Sequence, residues 1–185
     1  VAAIGPKNVE LTAEKADGWL PIFFVPDKFR DVWGDSLSAG SAKRSADLGK
    51  LQIFAGGVVA LGEGPEVTEA REGARQNAGF YVGGMGARSK NFYNQVFCKY
   101  GYEAEAEAIQ NLYLSGRKSE AEAAIPKSYL DSTSLIGDEA FIVDRLQVLK
   151  ESGVTSLSAS FLGTTSEERV RNCHALKNLM VKSGV

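Results

Sequence analysis

The stretch VAAIGPKNVELTAEKADGWL, residues 1–20, joins a short apolar run to a helix through a Gly-Pro turn and then returns to a second apolar run. Val1 to Ile4 read as the end of a buried strand. Gly5 supplies a flexible backbone position, and Pro6 suits the first turn of a helix, where no amide donor is needed. Val9, Ala13 and Ala16 fall on one helical face, while Lys7, Glu10, Glu14 and Lys15 can stay in water. Asp17-Gly18 ends the helix, and Trp19 to Phe24 begins the next strand. This is one strand, helix, strand step of a parallel sheet, and the remainder of the chain repeats it.

A turn of this kind lies at the carboxyl end of a strand, so the free amides of Lys7 and Asn8 and the helix dipole point to one place. An anion, a phosphate above all, is stabilised there. The competing reading is that Gly5-Pro6 is only a tight connection, and on spacing alone that reading is the better one, since a single Gly-Pro is a weak signal.

The runs AAIGPKNVELTAEKADGWLP at 2–21, FYVGGMGARSKNFYN at 80–94 and LIGDEAFIVDRLQVLKESGVTSL at 135–157 together resemble the carboxyl-terminal half of a luciferase-like monooxygenase. The likeness is strongest to the flavin- and deazaflavin-dependent oxidoreductases, including those that use coenzyme F420. It implies an α/β fold, the second half of a TIM-type (α/β)8 barrel, with about four parallel strands, surrounding helices and an inserted helical segment. It implies one partial barrel domain over 1–185, with strand-helix units at 1–64 and 153–185 and a mostly helical 65–152. It also implies that the loop Ala3, Ile4, Gly5 and Pro6 holds the cofactor phosphate through backbone amides; Lys7 and Asn8 join that set from the helix-terminus argument. The cofactor expected is F420, with FMN as the alternative, and the reaction is hydride transfer to or from a small organic substrate. Most ring-contacting and catalytic positions of the family lie in the other half of the barrel, so no catalytic residue is assigned.

Composition sets bounds on the function. The chain has 185 residues, 44% hydrophobic and 24% charged, which is ordinary for a soluble globular domain but short for a barrel of about 250 residues. A net charge of -2, with no Lys/Arg cluster, disfavours nucleic acid as a partner. No apolar run approaches the roughly 20 residues of a membrane span, and no leader pattern opens the chain, so a cytoplasmic location is expected. Cys98 and Cys173 are far apart and outside any CxxC; His174 adjoins Cys173, but adjacent side chains on a helix diverge, so no metal site is expected. Val1 opens inside what reads as a strand, which suggests a fragment or a processed product, and an open strand edge calls for a cover.

Further along, Asp27 starts a helix with Phe29, Val32 and Trp33 on one side, and Phe23 and Phe24 end the second strand, either lining a pocket or packing beneath the loop. LQIFAGGVVAL, 51–61, reads as a strand buried on both faces, with Gly56-Gly57 marking a bulge or a close approach to the backbone. Gly62 to Pro65 is a second strand-helix turn and a second place for phosphate. From Val67 to Tyr102 a long helix is expected, interrupted at Gly79 and at Gly83 to Gly86. GGMG follows a helix rather than a strand, so it reads as a break that lets helices pack closely. Aromatics from Phe80 to Tyr102 concentrate around it. Residues 103–125 form two short helices broken at Gly116 with a solvated acidic face, and 125–137 reads as a loop before a helix facing inward through Ile142, Leu146 and Leu149. VTSLSASFL is the last strand, with Ser156, Ser158 and Ser160 on one side. Gly163 to Ser166 makes the third turn, and Val170, Cys173, Leu176 and Met180 form the buried stripe of the closing helix, with His174 at its boundary.

No Ser-His-Asp set, paired carboxylates or metal constellation can be assembled, which suits a cofactor that carries its own redox chemistry. Two other readings stand beside the oxidoreductase. One is a non-catalytic half-barrel that pairs with a twin, as a homo-oligomer, or with a separate amino-terminal half. The other is a sugar-phosphate barrel enzyme.

Overall fold

The computed structural model describes residues 1–162 and 165–185. The first helix, α1 (Pro6–Lys15), is followed by β1 (Gly18–Trp19) and α2 (Phe29–Ser41). After a short 3-10 turn at Ala46–Leu48 comes the long strand β2 (Gln52–Leu61). A helical segment follows: α3 (Pro65–Gly84), α4 (Phe92–Lys99), α5 (Glu103–Leu114), α6 (Lys118–Ala123) and α7 (Lys127–Thr133). The chain ends with β3 (Leu135–Gly137), α8 (Glu139–Glu151), β4 (Ser156–Phe161) and α9 (Ser166–Ser183).

All pairings are parallel, and every strand meets β2. Its first residues pair with β1 in the register Gly18 to Gln52, its last three with β3 in the register Val59 to Leu135, and Phe54 to Val59 pair with all of β4. Val59 is bonded to both β3 and β4, so these two strands lie on opposite edges of β2. Ala2 adds a single parallel bridge to Leu20 beyond β1.

Gly56 and Gly57 explain how one strand serves so many neighbours. A Cβ built on Gly56 would lie 2.2 Å from the Ser158 carbonyl oxygen, and one on Gly57 would lie 2.2 Å from the Thr133 carbonyl oxygen at the end of α7. The glycine pair marks two close approaches of backbone to backbone, as the sequence suggested.

Buried rings hold the helices to the sheet. Trp19 and Trp33 meet edge to face at 5.2 Å, Trp33 meets Tyr100 at 6.2 Å, and Phe97 meets Tyr129 at 4.6 Å. Asn91, buried, accepts from the Tyr93 and Asn94 amides and donates to the Tyr81 and Val82 carbonyls, tying the end of α3 to the start of α4. Gly83 and Gly84 lie under the Tyr113 ring of α5, so the GGMG run is the packing break expected of it.

Several expectations need correction. The strand expected over Trp19 to Phe24 stops at Trp19, with one bridge at Leu20, because Pro21 brings no ladder donor and Phe23 takes a positive φ of 52°. Val1 to Ile4 contribute only the bridge at Ala2. Gly79 does not interrupt α3; it makes room for Glu122 of α6. The loop expected over 125–137 contains α7, begun after Pro126, and the short strand β3. On α9 the buried residues are Leu176 and Leu179, while Val170 and Cys173 are exposed, because only the second half of that helix lies against the core. Ile142, Leu146 and Leu149 are the buried face of α8, as read. Among the described residues no helix is long and apolar enough to cross a membrane.

Replacing Gly57 with Ala should destabilise the fold by about 1–3 kcal/mol through overpacking, lowering Tm by roughly 2–12 °C. Gly73→Ala in α3, where an added Cβ meets nothing within 4 Å, should instead raise stability by about 0.5–1 kcal/mol. Thermal denaturation of the two variants checks both signs.

Candidate functional site

Three strand-to-helix turns were candidates for holding an anion, and their chemistry differs. At the first, Gly5 is the N-cap of α1 with extended backbone, Pro6 occupies the first helical position, and no side chain caps the helix. Lys7 and Asn8 are exposed, and their amides have no acceptor within the helix. No acidic residue stands in this first turn. Two indoles fix the loop that leads into it. Trp19 Nε1 donates to the Ala3 carbonyl at 3.0 Å, and Trp33 Nε1 donates to the Ile4 carbonyl at 2.9 Å. With those carbonyls bound inside the core, the peptide units of the turn have a fixed orientation. A Cβ on Gly5 would touch only a Phe92 ring carbon, at 3.9 Å, so the space above the turn is open.

The second turn is different. The Gly62 amide donates to the Gly137 carbonyl at 2.8 Å, Glu66 stands in the first turn of α3, and Glu63 precedes it. The third turn is closed by its own side chains. The Glu168 amide donates to Thr165 Oγ1 at 3.2 Å, the Thr165 amide donates to Glu168 Oε2 at 3.1 Å, and Glu167 adds a second carboxylate. Its first residues, Gly163 and Thr164, lie outside the described residues. Carboxylates at a helix N-terminus occupy the position an anion would take and repel it. Of these three strand-to-helix turns, only that of α1 presents a bare N-terminus.

Two cavities flank β2. One of about 210 Å³ lies over the Gly56-Gly57 pair, bounded by Leu20 to Phe23, by Asn77 of α3, by Thr133 and Ser134, and by Ser158 and Ser160 of β4. The other, about 440 Å³, lies by the carboxyl end of β2 and carries Glu66, Glu69, Glu168 and Arg171. Residues 3–8 line neither.

Phe23 is the one non-glycine residue with positive φ among the described residues. Its ring rests against Tyr81 at 5.4 Å and Tyr129 at 6.0 Å, and its carbonyl accepts from the Tyr100 hydroxyl at 3.1 Å. These contacts hold an unfavourable backbone in place at the cavity wall. Phe24 packs into the core against Phe29 instead, at 4.6 Å. Burial pushes the Tyr100 and Tyr129 hydroxyls above the ordinary tyrosine range. Cys98 is half-buried and its thiol is pushed up by that burial, while Cys173 is exposed. Among the described residues no group of three or more His, Cys, Asp or Glu could hold a metal ion.

The sequence marked the α1 turn, but it missed the two tryptophans that orient it. Their signal was that they are the chain's only tryptophans, placed one strand and one helix beyond the turn.

A parallel sheet with helices around it and a helical segment inserted after its longest strand is the architecture of a portion of a TIM-type α/β barrel. The luciferase-like monooxygenase model matches residues 1–156, and the chain belongs to that family. It is 33% identical over 178 residues to a Mycobacterium tuberculosis protein provisionally named a coenzyme F420-dependent oxidoreductase, an alignment covering 95% of this chain and 50% of that one. It is 25% identical over 164 residues to the 5,10-methylenetetrahydromethanopterin reductase of Archaeoglobus fulgidus, covering 86% of this chain and 46% of that one. The fold matches the coenzyme F420-dependent tetrahydromethanopterin reductase of Methanopyrus kandleri with a TM-score of 0.64 at 20% identity, over 97% of this chain and 47% of that one. The chain thus spans about half the length of the relatives it matches.

A buried tyrosine with a raised pKa keeps its proton in the folded state at a pH where the unfolded chain loses it. The contribution of the Tyr100 and Tyr129 hydroxyls to stability is therefore constant below about pH 10 and falls as pH rises beyond it. The urea midpoint should drop between about pH 10 and 11, with a shallower drop in Tyr100→Phe. A flat profile in the native sequence would contradict the burial of both hydroxyls.

Proposed function

We propose that the chain carries the phosphate-gripping part of an oxidoreductase that passes hydride between coenzyme F420 and a small organic substrate. In this reading Ala3, Ile4, Gly5, Pro6, Lys7 and Asn8 form the turn over which the coenzyme phosphate sits. The backbone amides of Lys7 and Asn8 donate to it, the α1 dipole adds to them, and the indoles of Trp19 and Trp33 keep the turn from rotating away. When bound, the deazaflavin supplies the hydride chemistry. The chain's residues bind and orient.

The observation that carries the reading is the contrast between the three turns, since α1 alone lacks both a side-chain cap and a carboxylate in its first turn. The name of the Mycobacterium tuberculosis relative favours F420 over FMN. The reading also treats 1–185 as a single partial barrel domain, with 1–64 and 153–185 as strand-helix units around a mostly helical 65–152, in a cytoplasmic protein.

Spectral titration of the full chain with F420 and with FMN tests this. F420 should bind more tightly, and Lys7→Glu, which puts a carboxylate at the bare N-terminus, should weaken it about tenfold. Tighter binding of FMN, or an unchanged affinity in Lys7→Glu, would refute it.

A second reading is favoured by the sheet itself. Among the described residues the edge of β4 away from β2 is unpaired, and Leu20 and Phe54 are exposed. A closed barrel of this type has eight strands, so association with a second copy or with an amino-terminal half would cover that edge. Sedimentation at micromolar concentration should show a mass above one chain; a monomer alone would count against it.

A further inference from the structure

The surface of the helical segment is divided by charge along α5. Glu103, Glu107, Asn111 and Leu114 are spaced four, four and three residues apart, so they share one stripe of that helix, and all four are exposed. Among the described residues neither Glu103 nor Glu107 takes part in an ion pair. The other end of the stripe is apolar and cationic. From Gln76 to Tyr102 the chain has no Asp or Glu. Phe80, Met85 and Leu114 are exposed at this end, beside a Tyr113 ring that Phe80 meets at 6.3 Å and that covers Gly83 and Gly84. Two cations stand here on neutral partners. Arg88 donates to Asn111 Oδ1, and Lys118 lies over the Tyr113 ring at 5.6 Å.

A stripe with carboxylates at one end and cations at the other is complementary to itself when reversed. A two-fold axis crossing α5 midway between Glu107 and Asn111 sets Glu107 of one copy against Asn111 and Arg88 of the second, and the same contact recurs across the axis. In that register Leu114 meets the exposed Ala104, whose short side chain leaves room for it, and Glu103 comes to the end that carries Lys118. A parallel arrangement would instead set carboxylate on carboxylate and align the helix dipoles. Exposed ion pairs contribute little affinity each, so burial of Phe80, Met85 and Leu114 supplies the attraction while charge selects direction and partner. The surface is separate from the unpaired edge of β4, since α5 packs on α3, α4 and α6.

We propose that the exposed face of α5 docks a second copy of this chain, the two helices running antiparallel about a two-fold axis. A helix of 12 residues gives a small interface, so the dissociation constant is on the order of micromolar. The pairing does not rest on the oxidoreductase reading.

Sedimentation velocity of the full chain across the micromolar range tests it and should show a monomer-dimer equilibrium. Glu107→Arg and Arg88→Glu each place like charges across the axis twice, and each should weaken the pair by about tenfold. The two changes in one chain should restore it. Leu114→Ser, which removes an apolar contact on both sides of the axis, should also weaken it by about tenfold. Circular dichroism reports folding of each variant. Should Arg88→Glu fail to fold through loss of its bond to Asn111, Glu107→Arg carries the test, because the Glu107 side chain has no partner in the fold. Glu107→Gln should then fall between it and the native chain. A single-chain mass at every concentration would overturn the proposal, as would a dimer indifferent to Glu107→Arg, the result expected of pairing through β4. A folded double variant that fails to regain the dimer would overturn it too.

Discussion

The structure depends on how closely other backbone can approach β2. A strand that pairs with β1 at its start, β3 at its end and β4 along its middle is the one element every other strand touches. Gly56 and Gly57 sit where the β4 backbone and the end of α7 come nearest, and side chains at those positions would push both away. The glycine pair weakens β2 as a free strand, since glycine loses more conformational freedom on folding than any other residue. That cost is offset by the parallel pairing on both edges and by the residues Ala55 and Val59, which it leaves buried in the core. The same absence of side chains opens the smaller cavity. One constraint thus fixes both the packing and the space.

Orientation of the α1 turn follows from a second, more distant set of contacts. The carbonyls of Ala3 and Ile4 would otherwise compete with any ligand for the turn's geometry, because a peptide unit free to rotate can present either its donor or its acceptor. Each is instead held by an indole from a residue buried to within 1% of full burial. The two rings meet edge to face, so neither can swing without disturbing the other. Trp33 also packs on Tyr100, whose hydroxyl reaches the Phe23 carbonyl. A continuous chain of packed rings and hydrogen bonds therefore runs from the turn to the strained residue at the cavity wall. Rigid support of this kind is what a binding turn on a loop requires, since the loop itself has few contacts.

How much of this the sequence disclosed depended on how local each signal was. Gly5-Pro6, Gly64-Pro65 and the Ile142, Leu146, Leu149 spacing are written in neighbouring residues, and α1, α3 and α8 stand where those residues place them. The stretch after Trp19 misled because its apolar run looks like a strand, while its conformation is set from afar by Tyr100 and the ring cage around Phe23. β3 was hidden for a related reason: three residues are too few to show a period, and only pairing with the end of β2 makes them a strand. On α9 the apolar spacing was real, but which part of the stripe is buried depends on where the helix meets the sheet, and no periodicity reports that. At the α1 turn, residue types were legible and the indoles that orient it were not, because a hydrogen bond from Trp33 to Ile4 spans the whole of a helix, a strand and a loop.

The distribution of charge around the strand ends gives the turns unequal access to an anion. Glu63, Glu66 and Glu69 follow β2, and Glu167 and Glu168 follow β4, so two of the three helix N-termini face the ends of the sheet with carboxylates. Lys7 stands alone at the third. A negatively charged group reaching this end of the sheet is repelled from the first two places and attracted to the last, over distances comparable with the screening length of about 8 Å at physiological ionic strength. The fold thus sorts ligands by charge at its strand ends before any of them makes a close contact.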